Sequence, residues 1–433
     1  MKNSVSFQYP LAIFPEKPET LGTLTDKVLA WQEKDRDRHL SLEDVVGVSE
    51  VEQQESKFPC LLIHAYPLEV AKTNNLKQQT RRLKEYCFTC PSLEVRSQWI
   101  KTINNSLAEK LRHLQIIINP VSGKKQASEI FERVRPLLDK SYLTYSIRET
   151  FSSADIQDFV RKLNLAEIDG LVIVGGDGTV SHAIAGLMSR PDWETAIKLP
   201  LGIIPGGTGN GLSKSLLQLA KETYAPLNAA FLIAKGRQQN LDLIEVIQNN
   251  KRYYSFLSLA WGLISDVDIE SEKLKFLGSL RFDLYALFLI CFLRTYQGKF
   301  SFIPHSNCNN LERQGILKQG AWHVIEDDFV FLWAMNTPWA AHDMNVTPYA
   351  QLNDGAIDVL VMRQGTSRLE VLKALLSCGK GQHLDLPHME YYKVSSFRLE
   401  PLTKKGLLVV DGELVEYSPI EMQVVHNLAR VNS

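Results

Sequence analysis

Charge excess of either sign is missing from this chain: Lys plus Arg number 48 against 49 for Asp plus Glu, a formal net charge of −1. That balance argues against a nucleic-acid binder driven by phosphate attraction and leaves room only for a local basic patch. Cysteine is sparse, six in 433 residues, which makes no disulfide framework in a chain this long. Cys87 and Cys90 form a lone CxxC with no second pair at zinc-finger spacing. Long apolar runs are missing too. The longest, Ala286–Leu293 (ALFLICFL), falls far short of the roughly 20 residues that cross a bilayer. The opening MKNSVSFQYP lacks the apolar core of a signal peptide, and no repeat or low-complexity tract stands out. The expectation is a soluble, cytoplasmic protein of two or three domains that visits membrane surfaces at most transiently.

What is present falls into three textures. Residues 1–110 alternate short mixed strands with polar connectors (LTDKVLAWQ, LSLEDVVGVS, FPCLLIHAYPL, RRLKEYCFTC). A helix follows, with Ser92 as its N-cap and Trp99, Ile103, Leu107 and Leu111 at four-residue spacing. Strands closed by one helix with an inward Trp resemble a pleckstrin-homology-like module. Its basic RRLK (Arg81–Lys84) reads either as a solvated face or as a contact for lipid phosphates. From 111 to 238, strands alternate with amphipathic helices: LQIIINP, YLTYSIRET, GLVIV and LPLGIIP each precede a helical pattern. That order predicts an open, mostly parallel α/β sheet with helices on both faces, whose strand ends line a ligand crevice. Residues 239–433 return to β, with strands expected at NLDLIEVI, YYSFLSLAWG, FVFLWAMN, AIDVLVMR, SSFRLEP and GLLVVDGEL. One apolar helix, Phe282–Leu293, interrupts them.

Three glycine turns leave strands on one edge of the α/β domain: NPVSGKK (Asn119–Lys125), GGDGT (Gly175–Thr179) and PGGTGNG (Pro205–Gly211). Missing side chains let backbone N–H groups point inward, and two of the loops open helices whose N-termini favour anions. Together they suit a triphosphate. None ends in Gly-Lys-Ser/Thr, so none is a P-loop, and GGDGTV does not fit GxGxxG. Asp177 stands inside this cradle. A carboxylate beside phosphate is costly unless a hydroxyl or a metal ion lies between, so Asp177 is expected to accept a proton from an acceptor alcohol or to help hold Mg²⁺.

GGDGT with PGGTGN and NPVSGK resembles the diacylglycerol-kinase-like lipid kinases. RPDWETAI (Arg190–Ile197), the long segment Leu257–Phe300 and VVDGEL (Val409–Leu414) are closely similar to sphingosine kinase segments. The resemblance runs from about residue 114 to about 415. It implies an α/β nucleotide-binding domain and a β-rich lipid-binding domain that move the γ-phosphoryl of Mg–ATP to the primary hydroxyl of a sphingoid base. Asp177 would be the catalytic aspartate and Asp268 the partner of the sphingoid amine, as an ammonium entering an apolar pocket requires. The nucleotide would be met by Asn119, Gly123, Lys124, Thr150, Gly175, Gly176, Gly178, Gly207, Thr208, Gly209, Asn210, Lys275, Arg281, Asp411, Gly412 and Glu413. Lys275 stands where the family carries an arginine and so lacks the planar fork. The segment Phe282–Leu293, with Phe288, Leu289 and Phe292, is apolar on nearly every side and must be enclosed, either as a core helix or as the wall of a lipid-tail tunnel.

Departures mark the loop after GDG. The family pattern GDGxxxExxNG places Glu and Asn where this chain has His182 and Ala185. His182 reads as a polar residue on the helix surface, and His342, His383 and His388 have no metal-like spacing. Ceramide and diacylglycerol carry no ammonium for Asp268, and an NAD kinase gives no reason for the apolar segment. A lipid-binding scaffold without activity remains as the non-enzyme alternative. Oligomeric state is not legible in the sequence.

Overall fold

The computed structural model describes residues 5–73, 76–107, 113–121, 126–278, 280–306 and 321–433. At the N-terminus lie two four-stranded antiparallel sheets. One holds Val5–Pro10, Leu21–Thr25, Val28–Glu33 and Arg36–Ser41; the other holds Ala12–Ile13, Lys84–Thr89, Cys60–Ala65 and Val45–Val51. A hairpin, Leu68–Thr73 with Leu76–Arg81, projects from the second. The helix Leu93–Ser106 closes the module. Ser92 caps it by accepting from the Val95 amide, and Trp99, Ile103 and Leu107 are buried among the strands. Leu111 lies outside the described residues.

Four parallel strands form the α/β layer, in the order Thr144–Glu149, His113–Ile118, Gly170–Gly175, Leu201–Pro205. Alternate residues serve the two faces. Leu114, Ile116, Val172 and Val174 pack under the helices Ala127–Lys140 and Pro226–Lys235. Ile117, Leu171, Ile173 and Ile203 pack under Ser153–Arg161 and Asp177–Met188. Burial on both faces explains why these strands read as continuous apolar runs rather than as alternation.

The remaining strands are antiparallel around an aromatic-rich core that includes Trp261, Phe300, Phe329 and Phe397. Gln238–Gln248 and Ile420–Asn432 pair along most of their length, and the latter also joins Leu201–Pro205 at Leu201–Val431. The final strand therefore ties the β layer to the α/β sheet. YYSFLSLAWG divides into Lys251–Ser255 and Ser258–Gly262, which pair with different neighbours. VVDGEL, expected as one strand, is a tight hairpin, Leu408–Val410 with Glu413–Val415. Asp411 and Gly412 both take positive φ (51° and 81°) at its turn. Asp-Gly between apolar residues is the signal for such a turn.

Candidate active site

The three glycine loops meet at the carboxyl ends of the parallel strands and are stitched together. Asn119 Nδ2 donates to Thr179 Oγ1 at 3.0 Å, joining the first loop to the second. The Gly206 amide donates to the Gly175 carbonyl at 2.8 Å, joining the second to the third. Gly207 lies so close to the second loop that a Cβ there would sit 2.3 Å from Gly176 Cα. Thr208 is exposed at the tip of the third loop, whereas Thr150 is buried with its hydroxyl on the Ile118 carbonyl. Gly123 and Lys124 fall outside the described residues, as does the side chain of Lys275.

Asp177 opens its helix directly after Gly176. Its carboxylate faces the start of a second helix, Gly211–Leu219: Oδ2 accepts from the Gly211 amide at 2.8 Å and Oδ1 from the Leu212 amide at 3.4 Å. Two helix N-termini thus converge on one carboxylate. Burial nevertheless pushes its pKa up to about 6, against those amides, and the neighbouring Asp411 adds to the rise. A carboxylate has about four acceptor positions, so Asp177 is oriented with capacity left over.

Asp411 differs. Ser255 Oγ (2.6 Å), the Leu257 and Ser258 amides (both 3.0 Å), the Phe256 amide (3.2 Å) and Ser181 Oγ (3.5 Å) all donate to it. Its oxygens are spent on holding the hairpin to the neighbouring strands and to the Asp177 helix. The next residues, Gly412 and Glu413, are exposed, and Glu413 Oε1 lies 3.7 Å from where a Gly178 Cβ would be. His182 is half-buried, not on the open helix surface. Its Nε2 is 3.8 Å from Glu413 and its Nδ1 3.3 Å from Gln157 Nε2, and burial lowers its pKa, with Glu413 opposing.

Gly262, at φ 77° and packed against the Val330 carbonyl, turns a buried strand into the helix Leu263–Glu270. Asp268 stands on that helix. Burial raises its pKa to about 6; Arg281 opposes the rise, and Glu272 and Glu413 add to it. Among the described residues its carboxylate has no hydrogen-bond donor. Arg281 begins the apolar helix Leu280–Cys291, its guanidinium 4.4 Å from the Phe282 ring centroid.

That helix is not enclosed on every side. Ala286, Leu289 and Ile290 enter the core, whereas Leu280, Leu284, Leu287 and Phe288 stay exposed, as does Phe292 just beyond the helix end. Arg81, expected on a solvated or lipid-facing patch, is instead buried in ion pairs with Glu222 and Asp44. Tyr224 and His342, to which sequence reasoning gave no role, pack behind the third loop, with ring centroids 5.4 Å apart.

An open α/β crevice lined by glycine loops and one carboxylate, beside a β layer, is the architecture of a diacylglycerol-kinase-type enzyme. Residues 113–246 match the diacylglycerol kinase catalytic domain, and residues 322–432 match the YegS C-terminal NAD kinase beta sandwich-like domain. A solved diacylglycerol kinase structure from Bacillus anthracis shares the fold (TM-score 0.53, 18% identity), covering 75% of this chain and 97% of that one. Sphingosine kinase 1 of Arabidopsis thaliana is 34% identical over 362 residues, 76% of this chain and 74% of the relative. Human sphingosine kinase 1 is 33% identical over 339 residues, 72% of this chain and 88% of the relative. The chain belongs to the sphingosine kinase family. It is a lipid kinase, and its catalytic domain implies ATP as phosphoryl donor. Among the described residues no helix is long and apolar enough to cross a membrane.

Proposed function

We propose that this kinase transfers the γ-phosphoryl of ATP to the primary hydroxyl of sphingosine or a related sphingoid base, giving the 1-phosphate. The observation that carries the choice of substrate is Asp268: a half-buried carboxylate with no hydrogen-bond donor among the described residues, beside an apolar helix. Such a group calls for a cation, and a sphingoid base brings an ammonium on an aliphatic tail. Ceramide and diacylglycerol bring none.

In this reading the glycine loops wrap the triphosphate with backbone N–H groups. Asp177 receives the hydroxyl proton as the new P–O bond forms; as a weak base it acts late, and most of the rate comes from positioning and charge neutralisation. The donor set fits Mg²⁺ that arrives on ATP, because that ion keeps most of its waters and needs only one or two carboxylates. Asp177 and Glu413 would hold it, since Asp411 is already saturated; bound there, it offsets charge on the phosphates. Arg281 and Lys275 supply further positive charge, and Leu289, Phe288 and Phe292 meet the lipid tail. The exposed face of Leu284, Leu287 and Phe288 suits transient contact with the bilayer that supplies the substrate. We read the N-terminal module as pleckstrin-homology-like, from its two sheets and the helix carrying Trp99.

The test is transfer of label from γ-labelled ATP with Mg²⁺ to sphingosine, dihydrosphingosine, ceramide, diacylglycerol and NAD, for wild type, Asp177→Asn and Asp268→Asn. Label on the two sphingoid bases, abolished by the first substitution and much weakened by the second, is the expected result. Label on ceramide or diacylglycerol alone overturns the amine argument. Folded protein that binds sphingosine and labels nothing is a scaffold.

A further inference from the structure

The loop that orients Asp177 is braced from behind by a segment that reaches the N-terminal module. The Gly211–Leu219 helix ends in a turn with Lys221 at φ 59°, and the Glu222 amide closes back on the Leu217 carbonyl at 2.7 Å. The Glu222 side chain is buried against Arg81. Arg81 Nε and Nη2 reach Glu222 Oε1 at 3.0 and 2.5 Å, Nη1 reaches Asp44 at 2.8 Å and the Tyr66 carbonyl at 2.5 Å, and the guanidinium lies 3.6 Å over the Phe231 ring. All three guanidinium nitrogens of this arginine are engaged.

Two residues beyond Glu222 stands Tyr224. Its ring stacks on His342, whose amide donates to the Gly209 carbonyl at 3.0 Å. Asn210, held at φ 60°, clamps Gly207 from both sides: Oδ1 accepts from its amide at 3.0 Å and Nδ2 donates to its carbonyl at 2.7 Å. The next amide, Gly211, is the one on Asp177.

We propose that Arg81 of the N-terminal module and Tyr224 are positioning residues for phosphoryl transfer. Arg81 fixes the turn that carries Tyr224, and Tyr224, through His342 stacked on its ring, fixes the Gly209–Asn210 loop whose following amides aim Asp177; this rests on reading Asp177 as the catalytic base. The contacts leave little slack. Gly207 touches Gly176 directly, so a shift of the third loop moves the second. The module itself is held at further points. Lys235 Nζ donates to the Leu42 and Val45 carbonyls, both at 2.9 Å, and Lys140 pairs with Glu85 at 2.6 Å. Stability alone does not call for a buried ion pair, since apolar groups of similar volume often replace one without loss. What the pair adds is a fixed direction. Misplacement of reacting groups by about 1 Å can cost on the order of 100-fold in rate.

The experiment uses the full chain as wild type, Tyr224→Leu, Arg81→Met and the double variant. Amide hydrogen exchange is followed by mass spectrometry over residues 205–213, beside steady-state kinetics with ATP and sphingosine in mixed micelles. Tyr224→Leu removes the ring that stacks on His342 and keeps the turn apolar. Both single variants are expected to speed exchange at Gly207, Gly211 and Leu212 by about tenfold. They are also expected to lower kcat by about tenfold while sphingosine KM moves by less than about twofold. The double variant should lose no more than the worse single, because both act on one path. Arg81→Lys, which keeps the charge and loses the fork, should fall between, and it replaces Arg81→Met if that protein does not fold. Exchange at 205–213 that stays at the wild-type rate in folded variants overturns the proposal, as does a double-variant loss equal to the product of the singles. If wild type phosphorylates no lipid, the functional reading fails, and the exchange measurement still decides this one.

Discussion

Replacing Asp268 with Asn removes a charge that the fold holds at a cost. Burial lifts this carboxyl from its ordinary 3.8 to about 6. At about 1.4 kcal/mol per pH unit, the ionised form therefore works against folding by roughly 3 kcal/mol at neutral pH. The folded state binds the proton more tightly than the unfolded chain does. Wild type thus gains stability as pH falls from about 6 toward 3.8, and above about 6 the penalty is fully present. The variant lacks this dependence, although it leaves Arg281 without its counter-charge, which reduces the gain. Asp268→Asn is expected to be more stable than wild type by about 1–3 kcal/mol at about pH 7.5, with the gap closing near about pH 4.5. Urea titrations at the two pH values measure this. Binding should move the other way: losing a buried charge partner costs about 2 kcal/mol or more, a rise in sphingosine KM of about thirtyfold. The amine also lowers the carboxyl's pKa when it binds, so wild-type affinity should weaken as pH drops below about 6. A variant that is less stable at neutral pH, or one that keeps the wild-type KM, refutes the assignment of Asp268 as an amine site.

The other expectations are as follows. With Asp177 at about 6, kcat measured across pH should fall as pH drops through that value, and Asp177→Asn should lower kcat by about 10²–10⁴ with no such inflection. Gly207→Ala forces a methyl to within 2.3 Å of Gly176 Cα, so ATP binding measured by calorimetry should be lost even if the protein melts cooperatively. Asp411→Asn sets an amide against several N–H donors and should lower stability by about 2–4 kcal/mol in thermal melts; unchanged melting would show that Asp411 is not the hairpin's anchor.

The second and third glycine turns, the parallel layer and the position of Asp177 were legible because each depends on local pattern: apolar strands, missing side chains and a carboxylate among them. The hairpin at Asp411 was also signalled, by Asp-Gly between apolar residues, but continuity of the apolar run outweighed the signal. What escaped reading depends on distance along the chain. Arg81 meets Glu222 across 141 residues, and nothing local separates a basic stretch on a surface from one buried in a domain contact. The helix Leu280–Cys291 shows the same limit. Its composition calls for enclosure on all sides, but only the folded chain reveals that, among the described residues, Leu284, Leu287 and Phe288 stay exposed.

A raised pKa does not by itself locate the chemistry. Asp177, Asp268 and Asp358 are all pushed to about 6 by burial. Their donors separate them. Asp358 faces Lys393 at 3.1 Å and the Tyr391 hydroxyl, so its charge is answered within the fold. Asp411 is answered five times over and serves as framework. Asp177 is answered by two amides, enough to aim it and too few to saturate it. Asp268 receives no hydrogen bond among the described residues. Polar groups drawn away from water are ordinarily paired, and both of these are at least half-buried, so in the proposed reading the two carboxylates with acceptor capacity to spare are where substrate completes the structure. On that proposal one receives a hydroxyl proton and the other a cation, and a sphingoid base carries both within a few bonds of each other.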